Sequence, residues 1–258
     1  MFELADNRSP NSMASKMRSS RHAAFCNLLR EVRRPTKALD VGGSEEYWRS
    51  MGFLHDEEVE LTIVNTLQPQ GSIPRLRWIL ADARDMSGIA DQEYDVVFCN
   101  SMLEHVGALD DQEMAASEIR RVARRYFVQT PNRWFPVEPH SLFPFFQFLP
   151  AVVRAWLLRT IRLGWLERAK SMKEARSTVS SIRLLDRKEL GRLFPEAILV
   201  SERFVGLSKS IIACGGWEVQ DVLRAFAGKV PRPGGFKVDD GYRPQPDPGP
   251  RGAGGARR

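Results

Sequence analysis

Lys37-Ala-Leu-Asp-Val-Gly-Gly-Ser-Glu-Glu-Tyr47 is the stretch whose reading decides the fold. Residues 37–41 have the short, mostly apolar make-up of a buried strand. Gly42 and Gly43 close it, and glycine lets a ligand approach the backbone. Ser44 is suited to cap a helix over 44–53, with Gly52 near its end. Strand, glycine turn and helix together are the opening of a βαβ unit.

The same pattern extends on both sides. Upstream, Phe25, Leu28, Leu29 and Val32 recur at helical spacing within 15–34, and Pro35 follows the expected end. Downstream, strands are expected at 60–64, 76–80, 94–99 and 125–129. A helix at 110–124 lies between the last two, with Met114, Ile119 and Val122 as its apolar stripe. Alternation of this kind predicts a mostly parallel α/β sheet with helices on both faces and right-handed crossovers. Residues 131–150 contain five prolines, which forbids a regular helix there. A helix resumes at 151–163, with Arg154, Arg159 and Arg162 on one broad flank. Another is expected at 186–194, capped by Asp186. Strands at 197–203 and 208–214 are linked too closely to be parallel, so they form an antiparallel pair.

The expected organisation follows. Residues 1–14 form a flexible N-terminus and 15–214 the main domain, with 131–180 inserted as a substrate lid. A C-terminal helix spans 215–230, and a Pro, Gly and Arg-rich disordered tail spans 231–258.

The chain has 258 residues, enough to bury a core without staples. Its three cysteines, Cys26, Cys99 and Cys214, include no CxxC pair, which excludes a disulfide framework and a zinc knuckle. They read as buried thiols in a reducing cytoplasm. No apolar run is long enough to span a bilayer and no secretory signal core is visible at the N-terminus. The net charge of +6 points towards anionic partners without naming one. Lys16, Arg18, Arg21, Arg30, Arg33 and Arg34 near the start, with Arg251, Arg257 and Arg258 in the tail, read first as a solvated basic face.

In an open parallel sheet, ligands bind beyond the carboxyl ends of the strands. The first such loop has GGSEEY, not the GxGxxG of a dinucleotide fold, and two glutamates there disfavour a pyrophosphate. A ligand with a cationic amine or sulfonium is less troubled. The second loop begins with Asn65, which can accept one hydrogen bond and donate another. The third contains Asp82, suited to accept a bond from an adenine amino group. The fourth, Asn100 to Val106, holds Glu104 and His105. The fifth, Thr130 to His140, is rigid and would fix Glu138 and His140. His105, His140 and Glu138 are the candidate general bases, and a structural role for His105 stays open beside them.

These segments, ALDVGGS, WILADARDM, YDVVFCNSMLEHV and RYFVQTPNRWFPVEPH, together resemble the class I S-adenosylmethionine-dependent methyltransferases, in particular the type 11 group. The similarity runs from about residue 20 to residue 214. The last segment, with LFPFFQFLP, SIRLLDRKEL and GLSKSII, resembles a narrower bacterial subgroup met among surface-glycan and natural-product genes. The resemblance implies a Rossmann-like, seven-stranded sheet whose last strand is antiparallel. It implies that Asp40, Gly42, Gly43 and Ser44 surround the methionine part of the cofactor. Asn65 would meet the ribose, Asp82 and Ala83 the adenine, and Asn100 the sulfonium side. The family's glycine spacing is DxGxGxG. Here Gly43 is one place early, Ser44 and Glu46 hold the later glycine positions, and Asn65 replaces the usual acid.

The implied reaction is in-line methyl transfer from S-adenosyl-L-methionine, and the absence of an N/DPPY-like signature turns it towards O-methylation of a small molecule or a sugar or glycan precursor. No metal is expected. A catalytically inactive cofactor-binding module and a nucleic-acid methyltransferase are the alternatives. The lid aromatics Trp134, Phe135, Phe143, Phe145, Phe146 and Phe148 read as core. Alternatively they form a lipid-facing surface, which would put a cytoplasmic enzyme at the inner membrane face through peripheral contact.

Overall fold

The computed structural model describes residues 12–52, 57–69, 76–228 and 234–238. Five parallel strands lead the chain: β1 (Thr36–Val41), β2 (Val59–Asn65), β3 (Leu76–Leu80), β4 (Tyr94–Asn100) and β5 (Ala123–Pro131). β6 (Ile198–Phe204) and β7 (Leu207–Gly215) form the expected antiparallel hairpin, and β7 inserts between β5 and β6. With β8 (Gly234–Val238), the sheet order is β3-β2-β1-β4-β5-β7-β6-β8. The chain therefore winds one way from β1 to β3 and then crosses to the other side of β1, which creates a crevice at the carboxyl ends of β1 and β4.

The period of two along each strand divides the core between two faces. Val96 and Phe98 of β4, Phe127 of β5 and Ile212 of β7 face one side, where they meet Phe25, Trp48, Val222 and Phe226. These come from helices α1 (Met13–Leu29), α2 (Glu45–Ser50) and α7 (Val219–Phe226). Val97, Cys99, Val128, Ile211 and Ala213 face the other side. There they meet Ala115 and Ile119 of α3 (Leu109–Val122) and Leu190 of α6 (Arg187–Leu193). Ser44 and Asp186 cap α2 and α6 as their positions suggested.

The inserted segment has a core of its own. Phe146, Ala155, Leu158, Leu163, Ala175 and Val179 pack together under α4 (Ala151–Thr160) and α5 (Met172–Ser180). α4 stops short of residue 163 because the chain turns extended at Ile161. Gly164, at φ +54°, then packs against the backbone of His140 and Ser141, where a Cβ would lie 2.5 Å from the Ser141 carbonyl carbon.

Several expectations need correction. Ser12 caps α1, its Oγ accepting from the Ser15 amide at 3.0 Å, so residues 12–14 belong to a helix and not to a loose terminus. Residues 1–11 lie outside the described residues. Met114 faces solvent, and Ala115 and Ala116 take its place in the stripe. Arg21 is buried, not part of a solvated basic face. Among the described residues the sheet has eight strands, because Gly234–Val238 forms β8 against β6. That strand falls within the expected disordered tail, and Phe236 secures it edge-on to Phe226. Residues 239–258, the rest of that tail, lie outside the described residues.

Candidate functional site

A cleft of about 270 Å³ opens at the crevice, lined by Gly42, Asn65, Asp82, Ala83, Met102 and His105, among others. Four of the eight expected cofactor residues therefore meet there: Gly42, Asn65, Asp82 and Ala83. Gly42 sits at φ +81°, and a Cβ there would lie 2.2 Å from Met102 Cγ, so only glycine lets the β1 loop close on the β4 loop.

Asp40, Gly43, Ser44 and Asn100 do not line this cleft. Asp40 is buried below it and accepts from the Trp48 indole. Burial pushes its pKa up to about 7, against a smaller opposing effect of that hydrogen bond. A Cβ on Gly43 would overlap the Asp40 carboxylate, so Gly43 is required by packing. Ser44 is engaged as the α2 cap. Asn100 accepts from Arg21 at 2.8 Å.

The cleft's side chains are braced by one another. Asn65 donates to the Gly43 carbonyl at 2.9 Å and accepts from the Leu67 amide at 3.0 Å. Asp82 Oδ1 accepts from the Arg84 amide and Nε, and Oδ2 from the Arg84 guanidinium at 2.7 Å. The Arg84 hydrogen bonds hold the Asp82 pKa below the ordinary range despite some burial. A carboxylate has about four acceptor positions, so Oδ2 keeps one for an adenine amino group. An open crevice, a glycine at its floor and a carboxylate with acceptor capacity to spare fit an adenosyl cofactor.

At the rim stand the three candidate bases, in a row. His105 Nε2 lies 3.1 Å from His140 Nε2, and His140 Nδ1 lies 2.6 Å from Glu138 Oε1. Glu138 Oε2 also accepts from the amides of His140 and Ser141. Burial would raise the Glu138 pKa, but the hydrogen bond and charge of His140 outweigh it and leave it lowered. Burial would likewise lower His140, and Glu138 outweighs it and leaves it raised. His105 drops to about 4, chiefly through loss of solvent around its ring and secondly through the charge of His140.

Glu104 is buried behind the row and accepts from Thr130 Oγ1 at 3.1 Å, while its Oε1 has no partner. Burial raises its pKa to about 7. Glu104, His105 and His140 each offer a ligand atom within 4.8 Å of the others, a cluster the sequence reading did not find. Within the trio the two imidazole nitrogens stand 3.1 Å apart, at hydrogen-bond length.

Sequence reasoning missed Arg84, Ser101, Met102 and Arg21. Ser101, at φ 53°, lines the cleft in a conformation that serine seldom adopts. Only the last had a signal: an arginine on the buried face of an otherwise apolar helix stripe.

Residues 55–126 match the model of the type 11 methyltransferase domain family. No curated protein matches the chain. Among solved structures, a proposed O-methyltransferase of Nostoc punctiforme PCC 73102 is 16% identical with a TM-score of 0.47, over 83% of this chain and 59% of that one. An S-adenosylmethionine-dependent methyltransferase of Methanosarcina mazei is 13% identical with a TM-score of 0.48, over 73% of this chain and 96% of that one. The N-terminal domain of EvdMO1, solved with S-adenosylhomocysteine and D-fucose, is 16% identical with a TM-score of 0.47, over 76% of this chain and 82% of that one. The chain thus spans less than two thirds of the Nostoc protein. The family match rests on residues 55–126, and the sheet order and crevice are those of an open α/β fold that binds ligands beyond its strand ends.

Proposed function

We propose that this protein methylates a hydroxyl of a small molecule or sugar at the rim of the crevice. The observation that carries this reading is the row His105–His140–Glu138. Glu138 is a carboxylate, so neutral His140 must present Nδ1–H to it and keep Nε2 as an acceptor. His105 then donates through Nε2, which leaves its Nδ1 free to accept a proton. S-adenosylmethionine, when bound, supplies an electrophilic methyl group on a sulfonium.

Gly42, Asn65, Asp82 and Ala83 would hold the cofactor, with Asp82 on the adenine side. With the cofactor bound to supply the methyl group, His105 Nδ1 would take the proton of the acceptor hydroxyl. His105 gives its Nε2 proton to His140, and Glu138 stabilises the imidazolium formed there. Such a relay contributes roughly 10²–10⁴-fold. Holding acceptor and methyl in line supplies much of the rest.

Calorimetric titration with S-adenosylmethionine and S-adenosylhomocysteine, beside Asp82→Ala, tests the cofactor half. Binding that the variant weakens is expected, and no binding of either ligand defeats the reading. A screen of hydroxylated acceptors with His105→Ala tests the other half, since the variant should bind cofactor and lose transfer.

The lid's outer face supports an attachment of this enzyme to an anionic membrane surface. Trp134 (62% exposed), Phe145 (57%), Val152 (66%) and Trp156 (56%) lie bare on it. Residues 151–180 carry seven Lys or Arg against two Glu, a net +5 within a chain of net +6. Tryptophan beside arginine suits the lipid interface. Among the described residues, no helix is long and apolar enough to cross a membrane. Co-sedimentation with anionic vesicles should fall in the double variant Trp156→Ala/Arg159→Ala, and no vesicle binding by the parent protein ends the idea.

A further inference from the structure

A second cavity, of about 170 Å³, lies inside the lid on the far side of the row. Glu138 forms part of its wall, so the row separates it from the cofactor cleft. Three guanidinium groups also line it: Arg133, Arg154 and Arg183. Two are compensated. Arg133 pairs with Asp186 at 2.6 Å, and Arg183 with Glu189 at 2.6 Å and with the Gln112 carbonyl oxygen at 2.6 Å. Arg154 makes no ion pair or hydrogen bond through its side chain, and its Nε is buried. Burial holds its pKa below the ordinary value.

Gln147 is the second unsatisfied group in the wall. Its Nε2 donates to the carbonyls of Arg133 at 3.0 Å and Phe135 at 2.7 Å. Those two bonds fix the amide's orientation and leave Oε1 buried without a donor. Glu138 opposes part of the Arg154 charge from the same wall, while its oxygens accept from His140 and Ser141. The cavity therefore offers a half-buried guanidinium whose Nε is buried without an acceptor, and one buried carbonyl oxygen, Gln147 Oε1, without a donor. Buried polar atoms in native structures are paired, so two unpaired ones in a single cavity call for a ligand that supplies their partners.

Resting on the methyl-transfer reading, we propose that this cavity is an acceptor subsite for a small anionic group, a carboxylate or phosphate, which Arg154 pairs and beside which Gln147 accepts from a neighbouring hydroxyl or amine. The volume is close to that of a cavity that admits one benzene ring, roughly 150 Å³, so the group is small. With its anion here, an acceptor presents its hydroxyl across Glu138 and His140 towards the cofactor side. The substrate class is a hydroxylated acid or a phosphorylated alcohol.

The test is calorimetry on the full chain, with no methyl donor present. The probes are 3-hydroxybenzoate, its uncharged amide 3-hydroxybenzamide, acetate and inorganic phosphate. The acid should bind at least tenfold more tightly than the amide, and Arg154→Gln should abolish that preference. Arg154→Lys, which keeps the charge, should retain part of it. S-adenosylhomocysteine titrated into each variant reports that the sheet domain is intact. Competition by acetate assigns a carboxylate subsite, and competition by phosphate a phosphate one. Equal binding of acid and amide, no binding of any probe, or an acid preference that survives Arg154→Gln overturns the proposal. Acid binding without S-adenosylhomocysteine binding keeps the anion site and defeats the methyl-transfer reading instead.

Discussion

The two cavities on either side of the His105–His140–Glu138 row are built on opposite principles. In the cofactor cleft, Asn65, Asp82 and Arg84 are braced by bonds to neighbouring loops. In the lid cavity, Arg154 Nε and Gln147 Oε1 are buried without a hydrogen-bond partner. The cleft belongs to the sheet, whose strands fix the loop ends, so its geometry is set before any ligand arrives. The lid has a small separate core, and its polar groups await a partner. On the proposed reading, a shared cofactor and a particular acceptor would place just these different demands on two halves of one site.

The comparison can be broken most forcefully at the packing beneath each cavity. Trp48 is fully buried, meets Phe25 and Phe98, and donates to Asp40 under the glycine turn. Trp48→Ala should cost about 4 kcal/mol in urea denaturation, for the cavity it leaves and the stranded Asp40. Leu158→Ala removes an equally buried side chain from the lid core and should cost about 3 kcal/mol. Amide exchange distinguishes the two: the first should loosen β1 and β4, and the second should loosen the lid segment alone. Equal loosening everywhere after Leu158→Ala would make sheet and lid one cooperative unit.

Glu104 supplies the next effect, on the sheet side of the row. Its pKa rises from an ordinary 4.5 to about 7 in the folded chain. The folded state therefore holds a proton that the unfolded chain has lost between those values. Stability is full below pH 4.5 and falls as pH rises towards 7, by about 3 kcal/mol for this group. Asp40 adds a loss of the same sign. Denaturation at pH 5 and pH 7.5 should show the decline, and Glu104→Gln should remove its own share. An unchanged slope in the variant would place the proton elsewhere.

The row itself gives a smaller and more specific effect. Glu138 holds His140 above its ordinary pKa, so His140 is neutral and able to take a proton only above that raised value. Transfer should fall as pH drops through it. Glu138→Gln removes the anion, so the acid limb of the kcat profile should shift to lower pH. The rate on the plateau should fall by some 30-fold, the worth of a charge-assisted hydrogen bond of about 2 kcal/mol. In fold stability the same pair has two limits. His140 stabilises the fold below its unfolded pKa and loses that contribution as pH rises through the folded one. Glu138 contributes above its unfolded pKa and loses it as pH falls through its lowered one.

How far these regions could be read from sequence follows the same divide. β1 to β7 were legible because period-two apolar runs and glycine turns are local signals. β8 was not, because Gly-Gly-Phe-Lys-Val is held by pairing with β6 and by Phe236 on Phe226, contacts that composition hides. α5 was missed because its sequence is mostly polar, with only Ala175 and Val179 buried. Position after a strand identified His105, Glu138 and His140. Their row depends on two loops 35 residues apart meeting, which no local pattern states. Arg154 read as one arginine on a broad helix flank, and only the fold turns it into a cavity wall.

The smallest prediction stiffens the sheet without touching either cavity. The β6–β7 hairpin turns through Val205 at φ 50° and Gly206 at φ 80°, the two positive angles of a type I′ turn. Valine suits the first position poorly, since its branched Cβ crowds the carbonyl in a left-handed conformation. Its side chain is exposed, so little burial is lost on replacement. Asparagine adopts that angle readily, and Val205→Asn should raise stability by about 1 kcal/mol. The turn lies near the lid root, where Phe204 approaches Phe135 at 6.5 Å between ring centres. If sheet and lid are separate units, global unfolding should shift while exchange in α4 and α5 stays as it was. A parallel gain in lid protection would mean that the hairpin carries the lid with it, and that the acceptor cavity is tuned from the sheet after all.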